Sequence, residues 1–300
     1  MSRKQEEPRP ASSRPLGPWL VVTAVACALG GVAPGQAFEF SSQDGELRGS
    51  FDTTISLGAL WRTENRDPAL VSIANGGTSR DPNADDGNLN YERGDLVSSA
   101  VKVTHDLEFD YRNFGGFLRA SYFYDDAIWN KDALSRAARD EAGRDAEILD
   151  AFVRGRFEVG GRDLNLRAGR QVVSWGESTF IQNGINVLNP INVTRLRIPG
   201  SELREGLMPV GMLWGSHELS ENVALEGVWI AEWDNTRLEP VGTFFSTNDF
   251  VATGGSNAYT GYGRRNDANG PAGVFPLSPA ARLIAPRSAD REPDSGDEFG

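Results

Sequence analysis

Six ionisable side chains at alternate positions are the best candidates for chemistry in this chain. Asp106, Glu108 and Asp110 recur every second residue, as do Arg154 and Arg156, with Arg167 following. A spacing of two puts each set on one face of a β-strand. Facing each other across a wet lumen, acidic and basic rows would produce a transverse field that orients polar solutes. Ion pairs that merely fill the lumen are the alternative for the same residues. A second set has cation-binding spacing: Asp81, Asn83, Asp85 and Glu92 stand at positions one, three, five and twelve of a calcium-loop pattern. Asp86 occupies the sixth position, where that pattern needs glycine, and no helical flanks are expected, so a solvated acidic loop is the preferred reading. Neither histidine, His105 or His217, has a catalytic motif around it. No enzyme activity, cofactor or resident metal is therefore expected.

The elements that must hold these side chains are strands. Alternating apolar and polar residues mark Ser50–Trp61, Val97–Tyr111, Phe117–Ala127, Glu147–Val159, Leu164–Val173, Leu207–His217 and Val223–Trp233. Their connections switch between long loops and short turns at Arg112–Gly116, Gly160–Gly161 and Ser220–Asn222. That rhythm predicts an all-β fold, a transmembrane antiparallel up-and-down β-barrel with turns on one side and loops on the other. In the second segment Val97, Val101, Val103, Leu107, Phe109 and Tyr111 point to lipid, and Ser98, Lys102, Thr104, Asp106, Glu108 and Asp110 point inward. Phe109, Tyr111 and Phe114 suit an interfacial girdle. Arg170 falls on the lipid side, which calls for a bulge near Gly169 or a place above the apolar belt. Alternation fails at Val223–Trp233, which suggests cover on both faces.

Residues 1–37 read as a signal peptide. Arg3, Lys4, Arg9 and Arg14 precede the apolar run Trp19–Leu29, and Gly35-Gln36-Ala37 supplies a cleavage site after Ala37. The one cysteine, Cys27, lies inside that run; a lipid-modified Cys27 and a disordered tail are the minor alternatives. No later stretch is long and apolar enough for a membrane-spanning helix. The net charge of −12 argues against nucleic acid as a partner.

The loop at 174–206 is too apolar to be bathed in water. Phe180, Ile181, Ile185, Leu188 and Ile191 all need cover, which predicts that it folds into the lumen and forms a constriction. Packing against a partner is the alternative. Ala133–Glu141 is expected to form a short helix with an Asp132–Arg136 pair, and Asn235–Glu298 is the longest loop, expected to be partly disordered.

Three segments carry a family signature: Asp85-Asp86-Gly87-Asn88-Leu89-Asn90-Tyr91 leading to Gly94-Asp95; Leu166-Arg167-Ala168-Gly169-Arg170-Gln171 through Trp175-Gly176-Glu177; and Gly184-Ile185-Asn186 through Asn189-Pro190 to Ile198-Pro199-Gly200, with Glu205 and Pro209 beyond. Over residues 38–300 the chain resembles the Gram-negative outer-membrane proteins grouped as domain-of-unknown-function family 1302. The resemblance implies a β-barrel in the outer membrane, in contact with outer-membrane lipids. It also implies movement of hydrophobic compounds or lipids, often beside a periplasmic lipoprotein, and it brings no catalytic residues. Members are nearly twice as long, and seven strands would leave bare edges in lipid. The expectation is therefore the N-terminal half of a barrel that transports hydrophobic or amphipathic solutes. A porin for small polar solutes and a secreted β-rich enzyme are the alternatives.

Overall fold

Period-two alternation becomes antiparallel sheet in the computed structural model, which describes residues 38–175, 188–260, 262–264, 284–292 and 298–299. The strands are β1 (Phe38–Ser41), β2 (Leu47–Trp61), β3 (Leu96–Tyr111), β4 (Phe114–Asp125), β5 (Arg144–Val159), β6 (Arg162–Gln171), β7 (Val210–Ser220), β8 (Val223–Ile230), β9 (Asn257–Tyr259), β10 (Ile284–Pro286) and β11 (Glu298–Phe299). From β1 to β8 each strand pairs antiparallel with its neighbour in sequence, and β11 adds to β8. β9 and β10 form a separate pair. Among the described residues β1 and β11 do not pair with each other, so the meander is an open sheet. No described helix is long and apolar enough to cross a membrane.

The strand count differs from the sequence expectation. β1 was missed because a four-residue run is too short to display a period; it pairs with Arg48–Phe51. The seventh strand begins at Val210 rather than Leu207, since Pro209 has no N–H to give a ladder. Ala127 belongs to a helix, not to β4. The turns at Gly160–Gly161 and before Val223 fall where expected, whereas the one expected at Arg112–Gly116 shrinks to Arg112 and Asn113, since Phe114, Gly115 and Gly116 already pair with β3. Gly160 and Gly161 have φ of 63° and 73°, the positive pair that a two-residue hairpin turn requires and glycine adopts without a Cβ penalty.

The two faces of the sheet reverse the ordinary order of a soluble protein. One face exposes Ile55, Ile148 and Val153 at 62, 53 and 58%. The other buries Ser98, Lys102, Thr104, Arg119 and Gln171. Since transfer of apolar area out of water is the main force in folding, a bare apolar face needs a second apolar medium or a partner. Arg170 lies on this apolar face in an unbroken ladder, opposite Ala151 and Gly211, so no bulge re-aims it. Near the long-loop end it donates to the Pro209 carbonyl at 3.1 Å and pairs with Glu232 at 3.6 Å. β8 is covered on one face only. Val228 and Ile230 join Val173, Val210 and Met212 in a core cluster, while Leu225 and Trp229 are exposed on the other side.

Helices α1 (Asp86–Leu89), α2 (Asp126–Trp129), α3 (Arg136–Ala142) and α4 (Val193–Arg197) lie in the long connections. α3 starts on a Ser135 cap, whose hydroxyl accepts from the Ala138 N–H at 3.1 Å. Asp140 takes both Arg136 and Arg144, in place of the expected Asp132–Arg136 pair. The loops between β2 and β3 and after β8 pack together around Tyr91, which is 1% exposed. Lys131 lies 4.3 Å from the centre of that ring, and Phe244 meets it edge-on at 5.5 Å. Arg62 donates to the Tyr91 carbonyl at 3.3 Å. Burial pushes the Tyr91 hydroxyl well above the ordinary phenol range, with Asp125 and Glu239 adding to the shift.

Candidate functional site

The polar face, covered at Lys102 and Arg119 and open at Glu108, Asp110 and Arg156, holds the charged side chains named from the sequence. Strand register decides their partners. Asp106 and Arg119 are directly opposite on β3 and β4, and the guanidinium donates to both carboxylate oxygens at 2.7 and 2.6 Å. Asp110, Gly115 and Arg154 lie on one rung of β3, β4 and β5. Gly115 has no side chain to obstruct the rung, and a Cβ there would stand 2.5 Å from Asp110 Oδ1 and 2.6 Å from Arg154 Nε. Arg154 reaches over it to Asp110 and Glu108, at 2.8 Å from each. These pairs run sideways along one stretch of sheet, between adjacent strands for Asp106–Arg119 and across one intervening strand for Arg154. Arg156 is exposed and lies on the rung of Asn165. Arg167 is stacked on aromatic rings, 4.3 Å from the centre of Trp214 and 5.6 Å from that of Phe152.

A segment of the connection between β6 and β7 lies on this face. Its Ile198 packs on Ala100 and Phe123. Pro199 presses on Gly58, where a Cβ would be 2.1 Å from the proline Cβ. Lys102 Nζ donates to Glu205 Oε2 at 2.5 Å, to the Gly200 carbonyl at 3.0 Å and to Ser201 Oγ at 3.2 Å. Arg195 of α4 bonds Asp145 at 3.1 Å and also contacts Glu147, and Arg237 reaches Glu147 at 3.6 Å. Burial pulls the Arg195 guanidinium down while Asp145 pushes it back up, as expected of a cation taken out of water beside an acid. The segment is thus laid on the sheet by one apolar contact and two sets of ion pairs.

The family model described as "Protein of unknown function (DUF1302)" matches residues 19–300. The chain belongs to the DUF1302 family. No curated protein and no solved structure matches it.

In this DUF1302 chain the remaining candidates from the sequence are scattered. Leu188 packs on the cluster of Val173, Val210, Met212, Val228 and Ile230, whereas the Ile191 side chain is 41% exposed. Phe180, Ile181 and Ile185, like the signal segment 1–37, lie outside the described residues. The calcium-loop set does not converge. Asp81 accepts from Asn83, Asn83 in turn bonds the Tyr259 backbone, and Glu92 pairs with Arg66. Asp85 instead meets Asp86 and Asp249, their carboxylates within 4.8 Å of one another. Asp85 Oδ2 accepts from the Ser72 N–H and the Asn75 amide, both at 2.8 Å, and Asp249 Oδ2 accepts from the Asp85 N–H at 2.9 Å. These bonds tie the two loops together. His105 packs on the apolar face between Thr53 and Tyr122, stacked 5.6 Å from Phe51.

Sequence reasoning missed Arg195, Asp145 and Glu147 as a set, and it missed the pairing of Lys102 with Glu205. The polar face of β3 already contained Lys102, and the family signature contained Glu205. Only the fold of the intervening loop brings them together.

Proposed function

We propose that this chain forms part of an outer-membrane β-barrel that carries hydrophobic or amphipathic solutes, lipids included. The observation that carries this reading is the partition of the sheet. One face exposes apolar side chains while the other buries Lys102, Arg119, Thr104 and Gln171, the distribution that suits lipid outside and a polar passage inside. The short turns then face the periplasm, where a lipoprotein partner would meet them, and the long loops face outward. Residues 188–206 narrow the passage by lying on its wall, held by Lys102–Glu205 and by Arg195 on Asp145 and Glu147.

The test has two parts. The protein should fractionate with the outer membrane and migrate differently on gels before and after boiling, as folded barrels do. In planar bilayers, removal of residues 174–206 should raise ion conductance sharply and abolish preference for greasy solutes. A soluble, boiling-insensitive protein would overturn the reading. The polar rungs on the covered face favour a second reading, a porin for small polar solutes, under which removal of that segment leaves ion conductance nearly unchanged.

A further inference from the structure

The guanidiniums of β4, β5, β6 and α4 on the polar face fall into two groups. Arg119, Arg154 and Arg195 each have a carboxylate within ion-pair distance. Among the described residues Arg156 and Arg167 have none. Arg167 lies against the Trp214 ring. A stacked guanidinium keeps its edge N–H groups free, and those are the donors that grip a carboxylate in a two-pronged fashion. Glu226, on the rung of Ser216, is already engaged, since its Oε2 accepts from Trp175 Nε1 at 2.6 Å.

One rung further toward the long loops the lining changes character. Met212 and Ile230 stand there, with Val210 beyond them and Val228 on the rung of Arg167 and Trp214; Val173 completes the cluster, and Trp175, Leu188 and Trp214 pack around it, partly open. Two residues along a strand is roughly 7 Å. Over that distance the wall passes from apolar and aromatic to cationic.

We propose that this strip binds an amphipathic carboxylate. The apolar body lies along Trp175, Leu188 and Trp214, and the head group sits on Arg167 with Arg156 beside it. The inference rests on the transport reading above and names its solute class: organic acids with one anionic head. Two cations with no carboxylate in ion-pair distance among the described residues, Arg167 feeling Glu226 and Asp150 only from further off, offer a carboxylate charge-assisted hydrogen bonds that a neutral solute of the same length cannot make. Apolar burial favours both solutes equally.

The experiment is a binding titration of decanoate and decanol to the purified full-length protein in detergent, followed by tryptophan fluorescence and calorimetry. Decanoate is expected to bind about tenfold more tightly than decanol. Arg167→Gln should weaken decanoate binding more than decanol binding and so narrow that preference, and Arg167→Lys, which keeps the charge, should retain more of it. Equal affinity of the two ligands for the wild-type protein would overturn the inference and leave the transport reading standing. Failure of both ligands to bind would overturn the transport reading and this inference with it. The wild-type comparison decides the matter even if an Arg167 variant fails to fold.

Discussion

Lys102 Nζ in β3 stands 2.5 Å from Glu205 Oε2, and their side chains are only 5 and 11% exposed. This pair fastens the covering segment to the sheet across a hundred residues of sequence. Breaking a buried pair strands a charge at a cost of about 3–5 kcal/mol, whereas replacing both partners by apolar side chains costs far less. Lys102→Met alone should therefore free residues 198–206 to proteases. The double variant Lys102→Met, Glu205→Leu should restore most of the protection, as limited proteolysis in detergent would show.

Gly58 sets how closely the segment approaches. With Pro199 filling the place of a Cβ, Gly58→Val should lift the segment and cost about 1–3 kcal/mol, typical of overpacking. Protease sensitivity at 188–206 and single-channel conductance should both rise.

The orientation of the sheet can be tested by an arginine on each face. Val153 is exposed on the apolar face, and Asn165 lies on the polar face beside Arg156. Val153→Arg should impair assembly into membranes by about 2–4 kcal/mol, the cost of an arginine facing lipid near the midplane, while Asn165→Arg should be tolerated. Folding titrations into vesicles, scored by gel migration without boiling, check both. Equal tolerance of the two variants would contradict a lipid-facing Val153.

Glu239 should make the loop assembly sensitive to pH. Its side chain is almost fully buried and accepts from Thr243 Oγ1 at 2.9 Å. Burial pushes its carboxyl above the usual range, and nearby Glu141 adds to this. Thr243, Arg197 and Thr194 pull the other way by less. The folded state therefore holds the proton more tightly than the unfolded chain. Stability from this group is complete below the ordinary carboxylate pKa and falls as pH rises toward the elevated value. Glu239→Gln should remove that decline and raise the melting temperature at neutral pH, with little effect in acid. Thermal scans of both proteins between pH 4 and 8 provide the comparison.

The sheet was legible because its signal is local. Val101 and Lys102 declare two faces within two residues, and the glycines at 160 and 161 announce a tight turn without reference to anything distant. β1 was invisible for the same reason, being too short to show a period and drawn into strand only by the edge of β2. The candidate site was half legible. The polar-face set at Asp106, Glu108, Asp110, Arg154 and Arg167 could be named from spacing, but its partners could not. Whether Arg154 meets Asp110 depends on the register of two hairpins and on a glycine at the intervening position.

The sequence alone settled the antiparallel meander, the hairpin turns and the choice of polar face, because side-chain alternation and turn chemistry act over a few residues. The tertiary structure decided that Glu205 meets Lys102, that Asp85 meets Asp249 rather than a calcium-loop partner, and that Arg167 rests on Trp214 with no acid in ion-pair distance among the described residues. Those choices depend on strand register and on loops folding back over long separations. A charge in the sequence gives no indication of which opposite charge the fold will bring within reach.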